Sequence, residues 1–195
     1  MFRIKIAIFF FIVVNLNLSA QDELKLIKEK SLTQIVENTT FHFRLEKTGQ
    51  VLDVWSDDFR TFHSHITSYY WTINKKGKIK KYYKTVKEFN NTEAKQIYNL
   101  INNFSINTLS PDENLEIGIT DEEVYSFNIT KKGIKNSLKF SDIDHQKDVE
   151  QFKLIKSFLN QLNEIVNWKE NYFNLAKLLP VGEYYNGSMF KLIRK

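Results

Sequence analysis

The 195-residue chain contains no cysteine. That absence removes disulfides, thiolate metal sites, thiol nucleophiles and a lipid-modified N-terminal cysteine together. Glycine is scarce at six residues and proline scarcer at two. No Pro/Gly/Ser-rich linker interrupts the chain, so no internal domain boundary is expected. With so few glycines there is no G-x-G-x-x-G, no phosphate-cradling P-loop and no G-x-S-x-G elbow, and H-E-x-x-H is absent as well. These absences remove the familiar arguments for an enzyme. They leave open sites assembled from dispersed residues.

Long hydrophobic runs are also missing. The longest, Ile6 to Val14, is nine residues, far short of the ~20 needed to cross a bilayer. Arg3 and Lys5 precede it, and a short polar-to-small stretch ending at Ala20 follows. This is the pattern of a signal peptide over residues 1–20. Cleavage there leaves 21–195 as a single domain with no transmembrane segment, located in the periplasm or secreted. Export argues against nucleic acid as a partner. The formal charge is +5, and loss of Arg3 and Lys5 leaves 26 basic against 23 acidic residues. A balance so close to neutral does not by itself call for a polyanion.

What the chain does have is aromatics, sixteen Phe and nine Tyr among them, and clean periodicity. Ala94, Ile97, Tyr98, Ile101 and Phe104 fall on one helical face, with Thr92 as the expected N-cap and Glu93 in the first turn. Val149, Phe152, Ile155, Leu159, Leu162 and Val166 mark a second amphipathic helix, with Asp144 as its expected cap. Alternation predicts hairpins at Phe41–Trp55, Phe62–Phe89 and Tyr125–Phe140, each turning on a lysine followed by a late glycine: Gly49, Gly77 and Gly133. Gln21 to about Lys30 is read as helical and the residues up to Asn38 as extended. The tail from Trp168 is apolar enough to dock, and Asn186-Gly187 signals a short hairpin within it. The expected fold is α+β: an antiparallel meander of hairpins, two helices on one face and a docked C-terminal tail hairpin.

Four clusters are candidates for chemistry. His63 and His65 share one side of a strand about 7 Å apart, from the ~3.3 Å rise per residue. They could ligate a metal with Asp58 or Asp57, or simply occupy the wet face of an edge strand. The loop bearing Asp112, Glu113, Glu116, Asp121, Glu122 and Glu123 could bind calcium or supply paired carboxylates, or be a solvated connection; it lacks EF-hand spacing. Lys78, Lys80 and Lys81 with Tyr82 and Tyr83 could hold a polyanion by charge and stacking, or guard an edge strand against pairing. Tyr69, Tyr70 and Trp71 could be a sugar platform, or core.

The order of leader, hairpins, the NNTEAKQIYNLINNF helix, the YSFNITKKGIKNSLKF hairpin and the FLNQLNEIVNW helix resembles small exported proteins of Gram-negative bacteria with no assigned activity. That resemblance spans roughly Phe41 to Trp168 and implies no catalytic residues. The ending LLPVGEYYNGSMFKLIRK is similar to the last strands of the C-terminal sorting domain of type IX secretion, through Gly182, Tyr184, Lys191, Arg194 and Lys195. The Pro-Asn-Pro segment of that domain is absent. The functional expectation is a non-enzymatic envelope protein binding a partner protein or surface polymer, without a cofactor. The alternative is a hydrolase, metal-dependent or carboxylate-based, using His63/His65 or the Asp112–Glu123 loop.

Overall fold

A computed structural model describes residues 25–27, 39–109, 123–141, 150–188 and 191–195. Its centre is a seven-stranded antiparallel sheet. The strands are β1 (Lys25–Ile27), β2 (Phe41–Lys47), β3 (Gln50–Ser56), β4 (His63–Ile73), β5 (Ile79–Phe89), β6 (Tyr125–Lys131) and β7 (Ile134–Phe140), in the spatial order β1-β5-β4-β3-β2-β6-β7. The hairpins β2–β3, β4–β5 and β6–β7 turn where the glycines predict. Gly49, Gly77 and Gly133 all have positive φ, the conformation in which a side chain is penalised.

The meander runs unbroken from β2 to β5. Helix α1 (Asn91–Asn103) then carries the chain back across the sheet, so that β6 pairs with the free edge of β2. The remaining helices are α2 (Glu150–Val166) and α3 (Trp168–Leu178), and a small hairpin, β8 (Gly182–Tyr184) with β9 (Leu192–Arg194), closes the chain. All three helices lie on one face. Alternation sends Phe41, Phe43, Leu45, Leu52, Val54, Ile66, Phe127 and Ile129 to that face, where they meet Ile97, Ile101, Phe152, Ile155, Phe158 and Leu162. Phe158 sits at the junction, 6.3 Å from Phe43, 6.1 Å from Phe127 and 5.8 Å from Phe104 between ring centroids. Among the described residues no helix is long and apolar enough to cross a membrane.

Three local expectations are corrected. The cap of α1 is Asn90, not Thr92. The Asn90 side chain accepts from the Glu93 N–H at 3.0 Å and the Glu93 carboxylate accepts from the Asn90 N–H at 2.9 Å, a reciprocal capping box. Residues 25–27, read as helix, form a strand on β5 instead. Three residues have no periodicity of their own, and a sheet edge decides their conformation. The tail contributes a third helix. Asn167 at φ 52° ends α2 and its side chain caps α3 through the Glu170 N–H. The leader, most of the acidic loop (Asp112, Glu113, Glu116, Asp121, Glu122), Asp144 and Val149 lie outside the described residues.

Candidate functional site

The tail helps to shape a concave part of the surface. β3 begins at Gln50, so beyond Ser68 the β4 strand has no β3 partner, and Tyr185 takes over, exchanging backbone hydrogen bonds with Trp71 at 2.8 and 2.9 Å. Tyr70 points to the helix face and packs on Tyr172 of α3, 4.7 Å between ring centroids, and on Tyr184. Tyr69 and Trp71 point the other way and stack at 6.1 Å. The three-aromatic run is thus divided between core and outer face.

Where the β2–β3 turn, the start of β6, α2, α3 and the tail meet, they enclose a cleft of about 380 Å³. Two of its charged groups meet each other. Lys47 Nζ lies 3.1 Å from Glu123 Oε2 and sits over two rings, 5.6 Å from the Tyr125 centroid and 5.3 Å from that of Trp168. An ammonium between ring faces and against a carboxylate is stabilised by both. The Tyr125 hydroxyl donates to the same Glu123 oxygen at 2.6 Å. Below them, buried Gln50 donates to Ser68 Oγ and to the Trp168 carbonyl, both at 2.9 Å, which ties the sheet to the start of α3. Asn186 donates to the Tyr172 hydroxyl. Burial, then the neighbouring Tyr70 hydroxyl, pushes the Tyr172 phenol far above its ordinary range, so it stays protonated. Gly49 closes one wall: a Cβ there would lie 2.9 Å from Tyr172 Cε2 and 3.0 Å from Asn186 Cβ. The rest of the lining is the Thr48 hydroxyl, the Asn160 and Asn163 amides, apolar Leu159 and the exposed Lys169.

A second polar cluster lies on the sheet face opposite the helices. Register brings His42, Arg44, Asp53 and His65 together across β2, β3 and β4. Asp53 is fully buried. Arg44 Nε and Nη2 donate to its two oxygens at 2.8 and 3.0 Å, and His42 Nε2 lies 2.7 Å from Oδ1. A carboxylate only accepts, so that His42 nitrogen carries the proton. His65 Nε2 stands 3.4 Å from Oδ2, an ion-pair distance without a formed hydrogen bond. Burial alone would raise the Asp53 pKa. His42, His65 and Arg44 outweigh it and hold the carboxyl well below the usual range.

The predicted site residues are dispersed over this frame. His63 and His65 do share the outer face, but Trp55 lies against both rings, stacked on His63 at 5.4 Å and edge-on to His65 at 5.3 Å. Asp58 accepts from the backbone N–H groups of Arg60 and Thr61, which hold its carboxyl below the ordinary range and fix the loop before β4. Among the described residues no group of three His, Cys, Asp or Glu is placed to hold a metal ion. Lys78, Lys80 and Lys81 are exposed. Tyr82 and Tyr83 lie on opposite faces, Tyr82 edge-on to Trp71 and Tyr83 edge-on to Tyr184. Of the acidic loop only Glu123 is described, and it belongs to the cleft.

Sequence reasoning missed the cleft because its parts are far apart in the chain; Gln50 and Trp168 are 118 residues apart. The Asp53 cluster had a usable signal. Alternation placed His42 with Arg44 on one side of β2, and only the strand register was wanting. Scans of the chain against protein-family models, curated proteins and solved structures each return no match.

Proposed function

We propose that this chain is an exported, non-enzymatic binding protein of the cell envelope, and that the cleft beside Lys47 receives its ligand. The observation that carries the reading is the state of Glu123. The described carboxylate lining the cleft is held by Lys47 and by the Tyr125 hydroxyl. A carboxylate so engaged does not stand ready as a general base. What remains to face a ligand is mainly amide, hydroxyl and ring, with Leu159 and the Lys169 amine beside them, groups suited to recognition. Its volume falls within the ~300–1,000 Å³ typical of small-molecule clefts.

The hydrolase alternative draws less support. Asp53 is buried and its charge is met by Arg44, and the His63 and His65 rings are both packed on Trp55. The export half of the proposal rests on the residue pattern at 1–20. It is tested by the intact mass of protein recovered from an envelope or culture fraction; Gln21 as the first residue supports it, and intact Met1 on cytosolic protein refutes it. The binding half is tested by thermal shift against a panel of saccharides, dipeptides, amino acids and inorganic anions, with product formation followed in parallel. A shift without turnover supports the reading, and a panel that is turned over refutes it.

A further inference from the structure

We infer that the ligand of the cleft is an uncharged saccharide of one or two rings. The inference rests on the cleft being a ligand site and goes on to its chemistry. Charge is the first argument. The lining cations are Lys47 and Lys169. Lys47 is paired with Glu123 and enclosed by two rings, and Lys169 Nζ lies over the Phe173 ring at 5.7 Å. A phosphate or carboxylate ligand would have to compete with Glu123 for Lys47. A cationic ligand would have to displace Lys47 from its rings. A neutral ligand disturbs neither arrangement and avoids burying an unpaired charge.

Hydrogen-bonding capacity is the second. Asn160 and Asn163 are one helical turn apart on α2 and both line the cleft, as does Thr48 of the β2–β3 turn; the Asn163 Oδ1 already accepts from the Trp168 N–H at 3.3 Å, which leaves its amide NH2 to donate. Among the described residues the Asn160 and Thr48 side chains make no hydrogen bond within the protein. An amide both donates and accepts, as a hydroxyl does. A polyhydroxylated ring is the ligand whose groups match such a wall without regard to sign. Half-buried Tyr125 and Tyr172 supply ring surface for the C–H side of a pyranose. Tyr172 is fixed from behind by Tyr70 and Asn186, so little side-chain freedom is lost on contact.

The test is titration of the full mature chain with maltose, cellobiose and N,N′-diacetylchitobiose, read by calorimetry and by intrinsic tryptophan fluorescence, to which Trp168 in the cleft contributes. Dipeptides and inorganic phosphate serve as comparators. Saturable binding of at least one saccharide is expected. Asn160→Leu should weaken it about tenfold, the equivalent of ~1.4 kcal/mol, with an unchanged melting temperature because Asn160 is exposed. Asn160→Gln should retain part of the affinity. If a dipeptide or phosphate saturates the cleft in an Asn160-dependent way and the saccharides do not, the ligand class is overturned while the binding reading stands. If no member of the panel titrates, both fall. Saccharide binding that Asn160→Leu leaves untouched also overturns the inference, because it places the sugar elsewhere.

Discussion

Arg44 grips Asp53 with two nitrogens at once, Nε at 2.8 Å from Oδ1 and Nη2 at 3.0 Å from Oδ2. The pair joins neighbouring strands on the face of the sheet that carries no described helix, and it buries the carboxylate completely. Breaking such a pair from one side leaves the other charge without its partner. Asp53→Ala should therefore lower stability by ~3–5 kcal/mol at neutral pH, measured by urea unfolding.

The same carboxylate gives a pH dependence with a definite sign. Its folded pKa lies below the unfolded value, which is ~3.9 for Asp. Its contribution is fully present above that unfolded value. It is lost as pH falls below it toward the folded value, because the unfolded chain takes up the proton first. Unfolding free energy measured from pH 6 downward should drop below about pH 4. The drop should be smaller in Asp53→Asn, which has no proton to take up there.

Gly49 and Gly77 separate backbone strain from crowding. Both have positive φ, but a Cβ at Gly77 meets nothing within 4 Å, whereas one at Gly49 meets Tyr172 and Asn186. Gly77→Ala should cost about 1 kcal/mol, the left-handed penalty alone. Gly49→Ala should cost clearly more, and should alter intrinsic tryptophan fluorescence because it displaces a wall of the cleft that Trp168 lines. Equal melting temperatures for the two variants would contradict this assignment.

At the start of α1 the competing caps make opposite predictions. Asn90→Ala removes a side chain bonded to the Glu93 N–H and should cost ~1 kcal/mol. Thr92→Ala, at an exposed position inside the first turn, should change stability by less than ~0.5 kcal/mol. Thermal melts of the two variants decide between them.

Lys78 just before β5, with Lys80 and Lys81 within it, brings charge to this edge, but Tyr82 and Tyr83 are packed on opposite faces and offer no shared stacking surface. Heparin should therefore hold the protein by charge alone, releasing it below physiological salt. The triple Lys→Gln variant should pass straight through. Retention that survives higher salt would mean that the tyrosines take part after all.

These contrasts show which features could be read from the residues. The hairpins were legible because alternation and turn glycines are local, and so was the apolar stripe from Ala94 to Phe104. The start of α3 was legible in principle, since Asn167 with Glu170 repeats the spacing of Asn90 with Glu93. β1 was not legible: three residues take extended form because β5 offers an edge. The cleft was least legible of all. Lys47 and Glu123 meet only after β6 has found β2, and no window of sequence contains both.

The return of the chain through α1 also orders events in time. During synthesis β2 to β5 can pair as they emerge, yet β2 keeps one bare edge until residues past Tyr125 arrive, and α1 covers only part of the sheet's apolar side until α2 follows. A nascent chain halted before β6 would be a sticky half-sheet, prone to recruit a neighbour's strand. Completion of this protein therefore depends on its last third, and truncations from the C-terminal side should aggregate well before they lose their hairpins.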